Sequence, residues 1–225
     1  MKANPAIPFL LVLLAVRPAT TQVSFGAKVG TPITDNFRVD NLEPQAHFSL
    51  YESDTKRYTV GPTVEIGLPR NFAVEFDVLY RRLGYERRGF VPGLNTLDAT
   101  TGNSWQFPFL LKYNWGRNGG SPFVDAGVSF HRVNASTRHT LLGDPFGTGM
   151  PDFTGPPGDA RELVHEFRTG GVLGVGWNIP ARFIRFSPEL RYTRWSSESF
   201  VGQVLESNVL RSNRNQLDFL LGITF

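Results

Sequence analysis

Trp105-Gln106-Phe107-Pro108-Phe109-Leu110-Leu111-Lys112-Tyr113-Asn114-Trp115 is the stretch whose reading decides the fold. Its odd-numbered positions carry Trp, Phe, Phe, Leu, Tyr and Trp, whereas Gln106, Lys112 and Asn114 fall between them. Successive side chains of a β-strand point to opposite faces. The segment therefore reads as a strand with one apolar and one polar environment.

The same period of two recurs along the chain. Eight segments carry it, near 22–31, 57–68, 72–86, 103–115, 122–134, 164–178, 183–195 and 213–225. Their connections alternate in length: 69–71, 116–121 and 179–182 are tight, while 32–56, 87–102, 135–163 and 196–212 are long. Short turns at one end and long loops at the other are the topology of outer-membrane barrels, with the long loops outside the cell. An even strand count puts both termini on the periplasmic side. The run GDPFGTGMPDFTGPPGD, 143–159, has the Gly, Pro and Asp content of a mobile outer loop. A hairpin hidden in 135–163 or 196–212 would raise the count by a pair. The predicted fold class is all-β, an eight-stranded antiparallel up-and-down transmembrane β-barrel forming one domain over 22–225.

Ahead of it, Met1-Lys2 is a minimal positive start, Ile7 to Val16 an apolar core, and Pro18-Ala19-Thr20-Thr21 a small-residue exit. This predicts a secretory signal peptide over 1–21, because the apolar run is too short to span a bilayer as a helix. Without Lys2 and Arg17 the formal charge of +3 falls to +1, and no stretch clusters Lys and Arg in one sign. A nucleic-acid partner is not expected. The chain has no cysteine, which removes disulfides, thiol catalysis, Cys-based zinc sites and a lipidated N-terminal Cys.

Alternation alone leaves the sidedness open, since a soluble lipocalin-like barrel alternates in the opposite sense. Volume decides it. One face carries Val23, Phe25, Tyr58, Val60, Phe72, Val74, Phe76 and Tyr80, then the odd positions of 105–115. It continues through Val128, Phe130, Phe167, Leu173, Val175, Trp177, Leu190 and Tyr192. An eight-stranded barrel is only wide enough inside for side chains to fill it, so this set must face lipid. Tyr58, Tyr80, Trp105 and Tyr192 fall towards the long loops, and Tyr113, Trp115 and Trp177 towards the short turns, as two aromatic girdles would. The opposite face holds Lys28, Glu65, Glu75, Asp77, Arg81, Lys112 and Asp125, followed by Glu166, Arg168, Arg185, Glu189, Arg191 and Asp218. With both signs nearly balanced, these predict an interior network of ion pairs.

The last segment, Asn215 to Phe225, alternates to its final residue, with Leu217, Phe219, Leu221, Ile223 and Phe225 on one face. This resembles the C-terminal insertion signal of bacterial outer-membrane proteins, which implies the barrel-assembly machinery as a partner during insertion. Together with the leader, the eight segments and the alternating loops, it makes 22–225 resemble the small OmpA/OmpX-like barrels, in pattern rather than in identical motifs. The peptidoglycan-binding domain that follows OmpA-type barrels is not expected after the last segment.

Several groups invite chemistry. Ser129 and His131 share a strand face, and the eight-stranded lipid A deacylases use a Ser/His pair, but here both point into the barrel, away from lipid. His47, His131, His139 and His165 lack ligand spacing, so no metal is expected. Glu65, Glu75, Asp77 and Asp125 suit paired acid–base work, yet the interior bases give them a simpler role in ion pairs. Arg81-Arg82 and Arg87-Arg88, with Tyr80 and Tyr85, stand where the third segment leaves the membrane and could meet lipopolysaccharide phosphates. The expectation is a monomeric, non-enzymatic barrel in the outer-membrane lipid, without cofactor, that anchors extracellular loops, chiefly 32–56 and 135–163. A narrow pore, a lipid A-modifying enzyme and a soluble lipocalin-like barrel are the alternatives.

Overall fold

A computed structural model describes residues 22–41, 48–91, 94–116, 120–142, 151–202 and 208–225. The predicted leader lies outside the described residues. The strands are β1 (Val23–Pro32), β2 (Phe37–Asn41), β3 (Phe48–Ser53), β4 (Thr59–Gly67), β5 (Phe72–Asp77), β6 (Leu79–Val91) and β7 (Leu94–Asn114). They continue with β8 (Ser121–Leu142), β9 (Phe153–Thr154), β10 (Gly158–Asp159), β11 (Phe167–Pro180), β12 (Arg185–Trp195), β13 (Asn208–Ser212) and β14 (Asn215–Thr224).

Antiparallel pairing runs β1–β4–β5/β6–β7–β8–β11–β12–β14 and returns to β1, which closes a barrel of eight strands. Closure matters because a barrel has no unpaired edge to leave in lipid. The seam is made by Val29 opposite Leu221 and continues to the last residue, where Phe25 and Phe225 exchange backbone hydrogen bonds of 3.2 and 3.0 Å.

β5 and β6 form one barrel strand, since Thr63 opposite Asp77 and Val60 opposite Tyr80 keep a single register. The ladder lapses between them at Val78. Its N–H donates to the Pro62 carbonyl at 3.0 Å, and proline has no N–H to return the bond. Next to it, a Cβ at Gly61 would lie 1.7 Å from the Val78 carbonyl oxygen, so the strands can approach only because residue 61 is glycine.

Trp105, on the lipid face of β7, and Trp115, just past its end, are both exposed and stand ten residues apart, which matches the roughly 9–11 residues a tilted strand needs to cross a bilayer. Yet β7 begins at Leu94 and β8 runs on to Leu142. Eleven further residues at about 3.3 Å each and ~45° of tilt carry the sheet about 25 Å beyond the membrane surface. This corrects two expected loops. Much of 87–102 and 135–142 continues the strands β6, β7 and β8. Within 143–159, the short strands Phe153–Thr154 and Gly158–Asp159 are paired with β8 rather than loose, with Phe153 opposite Leu141 and Gly158 opposite Thr137. Residues 196–212 contribute β13, which pairs with β2 in a separate two-stranded sheet. Both additions lie outside the wall, so the barrel count of eight stands.

The tight turn at Pro69-Arg70-Asn71 closes with Leu68 N–H donating to the Phe72 carbonyl at 2.7 Å. Arg70 and Asn71 both take positive φ, 62° and 67°, the signature of a primed hairpin turn whose twist matches the strands it joins.

The apolar matter sits in two places. Most of it faces outward, with Phe25, Phe109, Phe130, Leu173 and Val175 exposed to the surroundings, as lipid contact requires. A second cluster lies at the extracellular mouth, where Phe37, Leu83, Tyr85, Val133, Phe200 and Leu210 are buried together.

Candidate functional site

The barrel interior is organised in layers, set by the inward parity of each strand. At mid-height Lys28, Lys112 and Arg191 meet Glu75, Asp77 and Glu189, all 2% exposed or less. Arg191 donates to Asp77 at 2.8 Å and Glu75 at 3.1 Å, and also to Glu189. Lys28 bonds Glu75, Glu189 at 2.8 Å and Asp77 at 3.3 Å. Lys112 joins Glu75 to Glu65, the latter at 2.9 Å, and also caps the Phe123 ring. Three cations against three carboxylates balance charge that would otherwise be too costly to hold away from water.

Asp125 stands opposite Lys112 on β8, outside this set of ion pairs. It is buried, and neither of its carboxylate oxygens has a hydrogen-bond partner among the described residues. Its strand neighbour across β11 is Gly174, where a Cβ would lie 2.4 Å from Asp125 Oδ1. The glycine supplies the room that the carboxyl occupies.

Below this layer Arg185 bonds Glu65 at 2.8 Å and forms the floor of a periplasmic vestibule of about 260 Å³, lined also by Asn71, Asn114 and Asn178. Above it Arg81 bonds Asp218 at 2.6 Å, with Thr59 and Asn36 filling its other donors. Gln216 links Asp218 to the indole N–H of Trp195, which is fully buried.

Two residues expected in the network lie outside it. Glu166 is exposed and precedes β11, which begins only at Phe167, so strand parity does not apply to it. Arg168 is half-buried and binds no carboxylate among the described residues. Its Nε donates to His131 Nδ1 at 2.8 Å, and its guanidinium stacks on Trp195, 4.6 Å from the ring centroid. The interior also holds large apolar groups that parity implies but the polar pattern hides: Leu110, Phe123, Val172, Leu220 and Trp195 are all buried there.

Ser129 and His131 both face inward, but they do not form a pair. Ser129 Oγ has no hydrogen-bond partner among the described residues, and His131 Nε2 instead meets Ser104 Oγ at 2.6 Å. Arginine can only donate, so the Arg168 bond makes Nδ1 the acceptor and leaves the proton on Nε2. An imidazole held in that tautomer donates to the serine and cannot take its proton.

The mouth above is covered by loop segments. Phe37 from β2, Phe200, and Leu210 from β13 cap Tyr85, with ring centroids 5.3 Å apart for Phe37–Tyr85 and 5.9 Å for Tyr85–Phe200. The Tyr85 hydroxyl donates to Glu162 at 3.0 Å. Burial, and then the Glu162 carboxylate beside it, push this phenol well above its ordinary range, so it remains a donor. Outside the cap, Arg87 bridges Asp98 and Glu162, each at 3.5 Å, on the wall of a cleft of about 300 Å³. The sequence pattern did not reveal the cap, because Phe37 and Phe200 occur singly in polar loop segments. An isolated large aromatic in such a segment was the available signal.

Outside the barrel the aromatics form two groups. Tyr80 and Trp105 pack at 4.9 Å between centroids towards the long loops, where Tyr192 bonds Asn215 at 2.8 Å and Tyr58 is exposed. Phe72, Tyr113 and Trp115 stack at 5.0 and 5.3 Å near the short turns, where Trp177 is also exposed. Leu217, Phe219, Leu221 and Ile223 share the outer face of β14 with terminal Phe225.

The family model of the outer membrane protein beta-barrel domain matches residues 17–194. Among solved structures, the chain resembles neisserial surface protein A, with a TM-score of 0.38 and 12% identity over 90% of this chain and 95% of that one. It also resembles the outer membrane protein OprG from Pseudomonas aeruginosa, with a TM-score of 0.47 and 11% identity over 90% and 92%. No curated protein matches the chain.

Proposed function

The chain belongs to the outer membrane protein β-barrel domain family, and within it we propose a non-enzymatic, non-conducting barrel that anchors an extracellular β-sheet as its working surface. The observation that carries this reading is the mid-height layer of Lys28, Lys112, Arg191, Glu75, Asp77 and Glu189, closed to solvent on every member. A hydrated ion passing through would have to break buried charge pairs, and the aromatic cap at the mouth adds a second closure. The extension of β6, β7 and β8 beyond the girdles supports the surface role, since it presents backbone and side chains to the outside on a rigid frame. The tautomer of His131 supports the absence of chemistry at Ser104.

The leader over 1–21 belongs to the same proposal, as the cleaved signal that delivers the barrel to the assembly machinery. The deciding measurement is conductance of the refolded barrel in a planar bilayer. A silent trace is expected. Stepwise openings that change with Glu75→Ala or Arg185→Ala would overturn the reading in favour of a narrow pore.

A further inference from the structure

The four arginines at the upper end of the third barrel strand are sorted by parity. Arg81 turns inward onto Asp218, and Arg87 turns onto Asp98 and Glu162. Arg88 is exposed and faces Glu86 at 3.8 Å. Arg82 is exposed on the outer face, one outward row above Tyr80.

Its row reads Arg82, Asn103 and Asn134 across β6, β7 and β8. The row beneath reads Tyr80, Trp105, Arg132 and Phe167, so Arg132 stands within the upper aromatic girdle. On the outer surface here lies a hollow of about 290 Å³, lined by Arg82, Thr101, Asn103, Asn134 and Ser136 among others. The Tyr80 hydroxyl donates to Asn103 Oδ1 at 2.7 Å. This fixes the amide so that its N–H₂ end, a pair of donors, points away from Tyr80.

The charge at this height is unanswered. Lys56 and Arg57, exposed elsewhere on the rim, have carboxylates at hand, 3.0 Å from Asp54 and 2.8 Å from Asp35, and Arg194, one outward row above Tyr192, donates to Asn215 at 2.6 Å. Among the described residues neither Arg82 nor Arg132 has a carboxylate within ion-pair distance. Arg132 instead lies over the Phe167 ring, 5.2 Å from its centroid. Strand spacing of ~4.8 Å and a rise of ~3.4 Å put the two Cα atoms about 12 Å apart.

From these features we propose that the outer face of β6–β7–β8, immediately above Tyr80 and Trp105, binds the phosphorylated sugar head group of outer-leaflet lipopolysaccharide, with Arg82 and Arg132 as its phosphate ligands. Guanidinium groups meet phosphate by charge-assisted paired bonds. The amides and hydroxyls of Asn103, Asn134, Thr101 and Ser136 suit sugar hydroxyls, and the aromatic row beneath marks where acyl chains begin. A protein ligand is disfavoured by position, because the hollow opens at head-group height. The inference rests on the outer-membrane setting alone and is independent of whether the barrel conducts.

The test uses the full-length refolded protein in nanodiscs, with the Arg82→Gln/Arg132→Gln double variant and Arg57→Gln as a control on another part of the rim. Binding of lipopolysaccharide is measured with the intact lipid, with the same lipid chemically dephosphorylated, and against millimolar inorganic phosphate. The double variant is expected to weaken binding about tenfold or more, and dephosphorylation to weaken the wild type as much while leaving the double variant unchanged. Arg57→Gln should bind normally, and free phosphate should not displace the lipid. Wild-type affinity in a double variant that keeps the heat-dependent gel shift of a folded barrel would overturn the proposal. So would undiminished binding of dephosphorylated lipid, or displacement by free phosphate.

Discussion

Arg191→Met is the sharpest probe of the interior. The guanidinium is 2% exposed and serves three carboxylates, Asp77 at 2.8 Å, Glu75 at 3.1 Å and Glu189. Methionine keeps much of the volume but leaves Lys28 and Lys112 to face all three. Breaking a buried pair by removing one partner costs about 3–5 kcal/mol, because the stranded charge stays away from water. With a urea slope of about 2 kcal/mol per M, the unfolding midpoint should fall by roughly 2 M. The assay is reversible urea unfolding in lipid vesicles, followed by tryptophan fluorescence and by gel mobility without heating. Adding Asp77→Asn to Arg191→Met removes one stranded carboxylate and should restore about 1–2 kcal/mol, although Asp77→Asn alone removes an acceptor from Lys28 and destabilises. A loss below about 1 kcal/mol for Arg191→Met, or additive losses in the double variant, would refute the claim that these groups act as one balanced layer.

Two further outcomes follow from the geometry. In single-tryptophan variants, brominated lipid should quench Trp105, Trp115 and Trp177, which are 40%, 50% and 49% exposed, and should spare Trp195 at 0%; equal quenching of Trp195 would mean the sidedness of β12 is wrong. Arg70→Gly should stabilise the barrel by up to about 1 kcal/mol in the same urea assay, because Arg70 holds a φ of 62° that a side chain disfavours. A destabilised Arg70→Gly protein would show that the Arg70 side chain contributes more than its backbone costs.

The sequence by itself determined the wall of this protein. Period two, the alternating lengths of connections and the volume of residues such as Trp105, Phe109 and Tyr113 are local properties, because parity along a strand and the narrow bore of eight strands suffice to say which side meets lipid. It also brought Lys28, Glu75, Lys112, Glu189 and Arg191 to one interior face. Which carboxylate meets which base was decided only by the tertiary structure, since Lys28 and Glu189 are 161 residues apart and meet through the stagger of the closed sheet. The same holds for the exclusion of Glu166, set by where β11 begins, and for Asp125, which lies beside Gly174 and whose carboxylate has no hydrogen-bond partner among the described residues. The upper half was least legible. Polar, Gly- and Pro-rich composition describes solvent exposure, and it does not reveal that neighbouring strands will carry their ladder outward, as β6, β7 and β8 do, or that Phe37 and Phe200 will close over Tyr85. Sidedness needs only the next residue along the chain, whereas pairing and capping need the register of distant segments, which closure of the barrel supplies.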